Sequence, residues 1–581
     1  MTALWILLSI LLPWAGALTV WLVGDERPRA QHTLASCFAI AGGLASLGML
    51  THPSPDPAIS LPLGGIFGTF TLVADGLGIY LAIIATVVGG LAVVFSMEYM
   101  KGEQGLGRYY ALVLLFIGAM VGLALSGSLL HMFLFWEITA FCSYALISFH
   151  NDDPKAVRGG IKALIVTQLG GIGLLLGALT GIAYLGSHQI SALLASSDSL
   201  PANIRAWMAF GFLVAAAAKS AQVPFHTWLP DAMEAPTPVS ALIHAATMVN
   251  AGVYLLVRFY PLFESVPGWS ATVVTLGVAS ALLAGFLAVL SYDLKRVLAY
   301  STVSQLGYMF YAIGAGGILA SQFHLLSHAL FKALLFLAAG AVIHHVGTRD
   351  MREMHSLGRT MPGVRLVFIV GFLALVGLPP ANGFLSKEMI FEQGLVEGPL
   401  WALVGMVLGA GITALYAFRM TSMVFDMSHG EQNACHAHNA VRIPLTLLAI
   451  GTLTSWLLAG DFGKLLSQSL PYHHVHSLET TTLLIEVLRA PLTYIALALI
   501  ACGILLWHWR SMLQQLMHRA LPVIEATARG AQFEWLNELV ITATLGLSRA
   551  FRKAQTGQMS WNVTGIVGGL GILLIILIWG A

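Results

Sequence analysis

The stretch AAAAKSAQVPFHTWLPDAMEAPTPVSALIHAATMVNAGVYLLVR, Ala215–Arg258, decides the fold. It opens in an apolar run and places Lys219 there, although a charge inside a lipid-spanning helix costs roughly 2.5–3.5 kcal/mol. Pro224 and three further prolines then break the helix, and the next apolar run carries His244. A buried lysine, a break and a buried histidine together predict a proton path. The simpler alternative is a snorkelling lysine and a satisfied core histidine.

The composition is that of a polytopic membrane protein. Of its 581 residues, 57% are hydrophobic and 9% are charged. Apolar runs long enough to span a bilayer predict an all-α protein with about sixteen transmembrane helices. The net charge of +1 gives no reason to expect a nucleic-acid partner. The cysteines, Cys37, Cys142, Cys435 and Cys502, lack paired spacing, so we expect neither a disulfide framework nor an iron–sulfur cluster.

The distribution of lysine and arginine predicts the orientation. The N-terminal apolar run lacks a basic segment before it, so it is interpreted as a first span and not as a cleaved signal. If the N-terminus is placed outside, only a few lysines and arginines fall in loops on the outer side of the membrane. These residues are Arg205, Arg258, Lys464 and Arg489. By the positive-inside rule, this predicts a multi-pass protein of a bacterial or archaeal cytoplasmic membrane, with both termini outside.

Two segments, Lys219–Pro238 and Pro379–Lys387, break otherwise apolar helices about five spans apart. An odd number of spans between equivalent elements predicts two inverted five-helix repeats. The predicted divisions are three helices over 1–105, the first repeat over 106–260, the second repeat over 261–426, two helices over 427–509, an amphipathic segment over 510–560 and a last span over 561–581.

The segment 510–560 mixes apolar residues with spaced charges, and its apolar residues recur at helical spacing. This pattern predicts an amphipathic helix at the cytoplasmic surface, with a bend near Pro522. An ordinary interfacial loop is the alternative.

Further ionisable residues lie inside apolar runs. Glu137 is flanked by apolar residues and needs a partner. His324, His328 and Lys332 follow one another at intervals of four, which places them on one stripe of a helix where a shared file of waters would solvate them. Lys387 and Glu388 follow the second break directly.

We find no dinucleotide fingerprint and no nucleophile–base motif, so no cofactor and no catalytic centre are expected in this chain. Histidines cluster in two predicted loops without a standard metal-ligand spacing, and no physiological metal is expected there. These clusters are His429, Cys435, His436 and His438 in one loop and His473, His474 and His476 in the other.

Five motifs together resemble one family. They are VPFHTWLPDAMEAPTPVSALIHAATMV in the opening stretch, FLFWEITAFCSYALISF (Phe133–Phe149), DLKRVLAYSTVSQLGYM (Asp293–Met309), FHLLSHALFKALLFLAAGAVI (Phe323–Ile343) and GLPPANGFLSKEMIF (Gly377–Phe391). The chain resembles the antiporter-like membrane subunits of respiratory complex I, especially subunit L. The same family includes Mrp-type sodium/proton antiporter subunits, membrane arms of energy-converting hydrogenases and a partner subunit of a bacterial inorganic-carbon transporter.

The resemblance implies roles for particular residues. Glu137 would pair across helices with Lys219, and Lys387 would be the terminal lysine that passes protons outward. Glu388, adjacent on the helix, would point elsewhere or form a gate. We further expect Lys219, His244, His328, Lys332 and Lys387 to form one continuous polar axis, because gathering ionisable groups around shared water lowers their cost in the membrane.

The resemblance also implies partners. It predicts other membrane subunits, contacted partly through a lateral helix at 510–560, together with lipid and a redox or other driving module, such as one related to NADH–quinone oxidoreductase. Asn250 stands where Mrp-type members often carry lysine, and Gly170–Gly171 where subunit L members often place an acid. An Mrp-type sodium/proton antiporter subunit, the membrane partner of an inorganic-carbon uptake complex and a structural anchor therefore stay open as alternatives.

Overall fold

Helices make up most of the part of the chain that the structure describes, as the hydropathy pattern predicts. The computed structural model describes residues 1–196, 199–354, 357–425, 438–509 and 534–554. Twelve helices in this part are long and apolar enough to cross a membrane. The all-α polytopic fold is confirmed, whereas the total of sixteen spans and the inverted repeats stay predictions.

The N-terminal part contains helices that bracket one β-hairpin. Its elements are α1 (Thr2–Val23), α2 (Pro28–Gly48), β1 (Pro57–Pro62), β2 (Thr69–Val73), α3 (Gly76–Ile83), a π-helix (Ile84–Val88) and α4 (Gly89–Tyr99). The two strands pair antiparallel. The sequence analysis did not predict this hairpin, although glycines flank Thr69–Val73. Main-chain and side-chain hydrogen bonds from Gly127 and Gln189 to β2 hold the hairpin against the helical bundle.

The region predicted as the first repeat contains helices up to Arg258. They are α5 (Leu106–Leu125), α6 (Leu129–Ile147), α7 (Pro154–Leu185), α8 (Ile190–Ala195), α9 (Ala202–Lys219), α10 (Trp228–Asp231), α11 (Thr237–Ala241), a π-helix (Leu242–Ala246) and α12 (Met248–Arg258). The predicted broken span is therefore α9 followed by an irregular turn.

The region predicted as the second repeat and the segment after it continue the bundle. Their helices are α13 (Tyr260–Phe263), α14 (Trp269–Leu290), α15 (Leu294–Gly314), α16 (Ile318–Val346), α17 (Leu357–Thr360), α18 (Pro362–Val376), α19 (Asn382–Val396), α20 (Leu400–Val424), α21 (Asn439–Thr454), α22 (Ala459–Ser469), α23 (Thr480–Arg489) and α24 (Pro491–His508).

Residues 533–581 form a separate unit, described by itself. Its described part is helix α25 (Glu534–Ala554). The predicted amphipathic segment 510–560 is thus helical over 534–554. Its remainder, including the expected bend near Pro522, and the predicted last span lie outside the described residues.

The first break is buried, and neighbouring side chains bond its freed backbone. Helix α9 ends at Lys219, and Ala221 adopts a left-handed φ of 49°, which costs a residue with a side chain roughly 1–2 kcal/mol. The Trp228 indole donates to the Ala218 carbonyl at 2.9 Å. The Gln222 amide donates to the Ser220 carbonyl at 2.9 Å. The backbone is therefore satisfied inside protein, as a break at membrane depth requires.

The second break separates α18 from α19 by a tight turn. Gly377, at φ 91°, ends α18, and its amide donates to the Leu373 carbonyl at 3.0 Å. Helix α19 then packs closely against α18, because a Cβ on Gly383 would lie 1.8 Å from the Ala374 carbonyl oxygen. Only glycine fits this crossing.

Gly383→Ala is expected to lower stability by about 1–3 kcal/mol or more, because the added methyl group overpacks the crossing of α18 and α19. Gly363→Ala is the matched control, since a Cβ there meets nothing within 4 Å. The melting temperature of the detergent-purified protein, followed by size-exclusion chromatography after heating, measures the difference. Equal melting of the two variants would contradict this packing.

Candidate functional site

Lys219, the last residue of α9, is fully buried against α6. Its ammonium donates to the Trp136 carbonyl and the Thr139 hydroxyl, both at 2.7 Å, and lies 4.1 Å from the Trp136 ring centroid. Within the described ranges, no carboxylate oxygen lies within 4.0 Å of its Nζ. The lysine is thus held by a carbonyl, a hydroxyl and an aromatic face, which are neutral groups.

Glu137 lies on the same helix as these acceptors and interacts electrostatically with Lys219. Its Oε2 accepts a hydrogen bond from the Gln168 amide at 2.8 Å, while its buried Oε1 has no hydrogen-bond partner in the described part of the chain. Gly171 leaves room for this carboxylate, since a Cβ there would lie 2.9 Å from Oε1. The two groups are neighbours without a direct salt bridge, and their functional pairing stays a prediction.

Lys332 on α16 repeats the arrangement of Lys219. Its ammonium donates to the Leu298 carbonyl at 2.9 Å and to the Ser301 hydroxyl. In both cases the lysine reaches a carbonyl on a neighbouring helix and a hydroxyl three residues further along it. Three residues make about one helical turn, so the two acceptors converge on one point.

His244 and His328 are fully buried, and neither ring nitrogen of either has a hydrogen-bond partner among the described residues. The His244 ring packs 4.7 Å from the Phe336 ring. A buried polar group without a partner costs about 1–3 kcal/mol, which a bridging water removes. The two histidines therefore suit a hydrated path, and their place in a proton path stays a prediction.

A local distortion sets the position of His244. It lies in the π-helix Leu242–Ala246, whose wider turn frees main-chain carbonyls. The Thr247 hydroxyl donates to the Leu242 carbonyl at 2.8 Å, and the Asn250 amide donates to the Ala245 carbonyl at 2.7 Å. Asn250 therefore satisfies the backbone of the distorted turn.

His324 joins three helices. Its Nδ1 lies 2.9 Å from the Ser386 hydroxyl on α19, and its Nε2 lies 3.1 Å from Oε1 of Gln305 on α15. With the Gln305 amide in this orientation, Nε2 donates to its oxygen, and a neutral ring accepts at Nδ1 from the Ser386 hydroxyl.

Lys387 binds the end of the broken helix. Its ammonium donates to the carbonyls of Leu375 at 2.8 Å and Val376 at 3.2 Å, the last residues of α18. A cation at a helix C-terminus is favoured by the helix dipole. Glu388 points away toward α24, where its Oε2 accepts from the Thr493 hydroxyl at 2.9 Å.

The structure brings most of the predicted axis together. Lys332 interacts electrostatically with His244, His328 and Lys387, and His324 interacts with Lys387. The electrostatic neighbour of Lys219 is Glu137. The step from Lys219 to the other groups, and hence the continuous axis, stays a prediction.

Loop residues at the first break have structural partners. Asp231 accepts from Lys162 at 2.8 Å and from Arg296 at 3.3 Å, and Glu234 lies 3.1 Å from Arg349. Lys162 is itself buried. Ion pairs between elements that are distant in sequence produce no local sequence pattern, so they could not be predicted from the sequence.

Two further buried cations were not singled out from the sequence. Arg258 forms an ion pair with Asp75 at the start of α3, with one contact at 2.9 Å. Lys295, at the start of α15, donates to the Ala235 carbonyl at 2.6 Å. Both were treated as loop charges because each stands near the end of an apolar run.

The predicted loop histidines divide into two cases. His429, Cys435 and His436 lie outside the described residues, and His438 caps α21 through the Ala440 amide at 3.2 Å. In the part of the chain that the structure covers, no three histidine, cysteine or acidic side chains converge as a metal site.

His473, in the loop after α22, is packed against the end of α12. Its Nε2 lies 2.8 Å from the Val257 carbonyl. Burial lowers the pKa of His473 to about 4, against the opposing effect of this hydrogen bond and with a further lowering by Arg258. The ring is therefore neutral at pH 7 and donates from Nε2.

Acid is expected to destabilise the protein through His473. Its folded pKa lies below the ordinary 6.5, so the unfolded chain binds the proton first, and stability falls as pH drops from about 6.5 toward 4. At about 1.4 kcal/mol per pKa unit, the loss is about 3 kcal/mol at most. Melting temperatures of the wild type and His473→Gln across this range measure it. Equal changes of melting temperature with pH in the two proteins would contradict this prediction.

Comparisons with known proteins place the chain in a family. The model described as NADH:quinone oxidoreductase/Mrp antiporter matches residues 126–413, and that of the N-terminus of complex I chain 5 matches residues 61–110. NADH-quinone oxidoreductase subunit L of Escherichia coli (strain K12) is 37% identical over 525 residues, covering 87% of this chain and 83% of the relative. Subunit L of Pseudomonas aeruginosa is 35% identical, covering 98% of each.

A solved structure of the Mrp complex from Dietzia sp. DQ12-45-1b contains a chain of the same fold. Its TM-score is 0.80 at 28% identity, covering 99% of this chain. This chain spans 63% of the length of that Mrp chain. The comparisons confirm the resemblance inferred from the five motifs.

Proposed function

Because the chain belongs to the family of NADH:quinone oxidoreductase and Mrp antiporter membrane subunits, we propose that it translocates protons within a redox-driven complex. It is an antiporter-like subunit of a multisubunit membrane assembly. In the proposal, the protons move along buried lysine, histidine and glutamate groups, and the driving reaction takes place in another subunit.

The supporting observation is the way the buried lysines are held. Among the residues that the structure describes, Lys219, Lys332 and Lys387 donate to carbonyls or hydroxyls and not to carboxylates. A carboxylate partner would favour the charged amine, whereas neutral acceptors in a buried site leave the neutral amine accessible. Lys162 and Arg258 contrast with them, because each is paired with an aspartate as a structural cation would be.

The electrostatic control of Lys219 rests on Glu137. Since Glu137 interacts with Lys219 without touching it, a small displacement between α6 and α9 changes the stabilisation of the ammonium. Approach favours proton uptake by Lys219, and separation favours release. His244, His328 and Lys332 then carry the proton toward Lys387, which releases it outward while Glu388 forms a gate.

Glu137 also suits contact with another subunit. Glu137 is half-buried and Gln168 is exposed on a side of the chain that otherwise presents apolar residues such as Leu134, Leu169 and Ile172. A carboxylate facing lipid at this depth is costly, so this side is proposed to pack on a neighbouring membrane subunit that supplies polar groups. The remaining apolar sides face lipid, and the segment 510–560 is proposed to run laterally along partner subunits.

The proposed location is a bacterial or archaeal cytoplasmic membrane with both termini outside, following the distribution of lysine and arginine. The side of the bundle that carries Glu103, in the loop after α4, and Glu234, at the first break, is then cytoplasmic. Labelling of cysteines introduced near Glu103, from one side of the membrane at a time, measures this orientation.

The experiment that tests the proposal uses the whole complex. The complex is purified through a tag on this chain and reconstituted into liposomes that contain a pH-sensitive dye. Electron donors, NADH in one arm and hydrogen in another, are supplied with a quinone or other acceptor, and electron transfer and proton uptake are measured together. Electron transfer without proton uptake in the wild type would refute proton translocation.

An Mrp-type cation/proton exchanger is the second candidate, favoured by the solved Mrp structure. Its distinguishing property is proton movement driven by a sodium gradient without any electron donor. The same liposomes, loaded with sodium and diluted into sodium-free medium, measure this. Sodium-driven exchange that is unaffected by electron donors would replace the redox-driven proposal.

A further inference from the structure

A cavity of about 190 Å³ opens at the face of the bundle that holds the first break. Exposed Glu103 and His150 lie at its rim. Its other lining includes Ala235, Thr237 and Lys295, all of which are buried. The cavity therefore leads from solvent to a buried cation.

Lys295 has the same kind of environment as the proposed transport lysines. Its ammonium donates to the Ala235 carbonyl, and no carboxylate oxygen lies within 4.0 Å of it in the described segments. The nearby acids Glu234 and Asp293 are instead paired with Arg349, at 3.1 Å and 3.4 Å. Lys295 is thus a buried amine without a direct carboxylate partner in the described segments.

Helix α15 connects Lys295 to Lys332. The carbonyl of Leu298, three residues after Lys295, accepts from the Lys332 ammonium, and so does the Ser301 hydroxyl one turn further. Three residues rise about 4.5 Å along the helix, so the two lysines occupy successive levels. His244 interacts electrostatically with both lysines, and its ring nitrogens have no partners among the described residues.

We propose that this cavity is a proton inlet and that Lys295 delivers protons from it to His244 and Lys332 without passing through Lys219. This inference rests on the proposed function. A hydrated proton in the cavity protonates the neutral Lys295 amine, which then donates that proton to His244 through water, because no described residue bonds the His244 ring directly. His244 donates it to the neutral Lys332 amine, and each donor returns to its starting form.

The structural alternative is that Lys295 merely fastens the Ala235 loop. Lys295→Gln separates the two roles, because its amide still donates to a carbonyl but does not titrate. Lys295→His keeps a titratable group at this position, with a pKa below the ordinary 6.5 because the site is buried. Both variants are measured in the reconstituted complex. Lys101→Gln is the control for the loss of a surface cation near the cavity, because the Lys101 side chain is 73% exposed.

We expect Lys295→Gln to lower the rate of proton uptake by roughly 10²-fold, a typical contribution of a positioned proton-transfer group. Lys295→His should restore part of the uptake, and more of it at low pH than at high pH, because a buried imidazole titrates below its ordinary 6.5. Uptake by Lys295→Gln at the rate of the control, or a Lys295→His variant as inactive as Lys295→Gln at every pH, overturns the inlet.

A second variant keeps the test decisive if Lys295→Gln does not assemble. His150→Trp leaves Lys295 in place and fills the rim of the cavity at an exposed position. Reduced uptake in this variant supports the inlet, and uptake at the wild-type rate overturns it. If the wild-type complex itself takes up no protons, the proposed function has failed, whereas wild-type uptake with an active Lys295→Gln variant refutes only the inlet.

Discussion

Proton uptake is expected to fall by roughly 10²-fold or more when Lys219 is replaced by alanine, with the complex still assembled. The substitution removes a fully buried group that can hold a proton next to Glu137. Uptake by the reconstituted complex, together with the recovery of partner subunits on the tagged chain, measures the effect.

Lys219→Arg is the matched variant for this result. A guanidinium can still donate to the Trp136 carbonyl and the Thr139 hydroxyl, but it does not release its proton in proteins. If transport needs only a positive charge at this place, the arginine variant works and the lysine is no proton carrier. If transport needs deprotonation, Lys219→Arg is as inactive as Lys219→Ala.

Replacement of Lys387 by alanine is expected to have the second large effect. It removes the proposed outward donor and leaves the carbonyls of Leu375 and Val376 without their cation, at a cost of about 1–3 kcal/mol. Proton uptake should fall by roughly 10²-fold, and the melting temperature should fall by several degrees.

Two variants separate transport from stability at this position. Lys387→Arg retains a cation at the end of α18, so it should restore the melting temperature without restoring uptake. Glu388→Gln leaves the bonds of Lys387 untouched and alters the contact with Thr493. Full uptake by Lys387→Arg would exclude proton release from this lysine.

The local sequence was sufficient to identify buried ionisable groups where apolar residues surround them in the chain. Lys219, Lys332 and the buried histidines stand out because nothing nearby in the chain can solvate them. Both helix breaks could likewise be predicted, because proline removes a main-chain donor wherever it stands. The residues that accept hydrogen bonds from these groups could not be predicted, because they are distant in sequence. Trp136, which accepts from Lys219, lies 83 positions before it.

The burial of Lys295 could not be predicted from the local sequence. In DLKRVLAY it stands beside Asp293 and Arg296, a pattern typical of a charged helix end at the membrane surface. Its burial results from the Ala235 loop folding over it, and its neighbouring acids are engaged by Arg349. The β-hairpin was missed for a related reason, because its partners at Gly127 and Gln189 are distant in sequence.

The π-helix at Leu242–Ala246 has a consequence for how the chain can diverge. A π turn accommodates one residue more than an α turn, and Thr247 directly after it leaves the helix at φ −133° and ψ −103°, so the two flanking segments are out of register with an unbroken helix. A helical wheel drawn continuously over Thr237–Arg258 therefore assigns His244 and Arg258 to the wrong relative faces. Deleting a single residue from this turn would rotate the Thr237 end relative to α12, away from Tyr99, and would redirect His244, so relatives that differ in length here would differ in the geometry of the path itself.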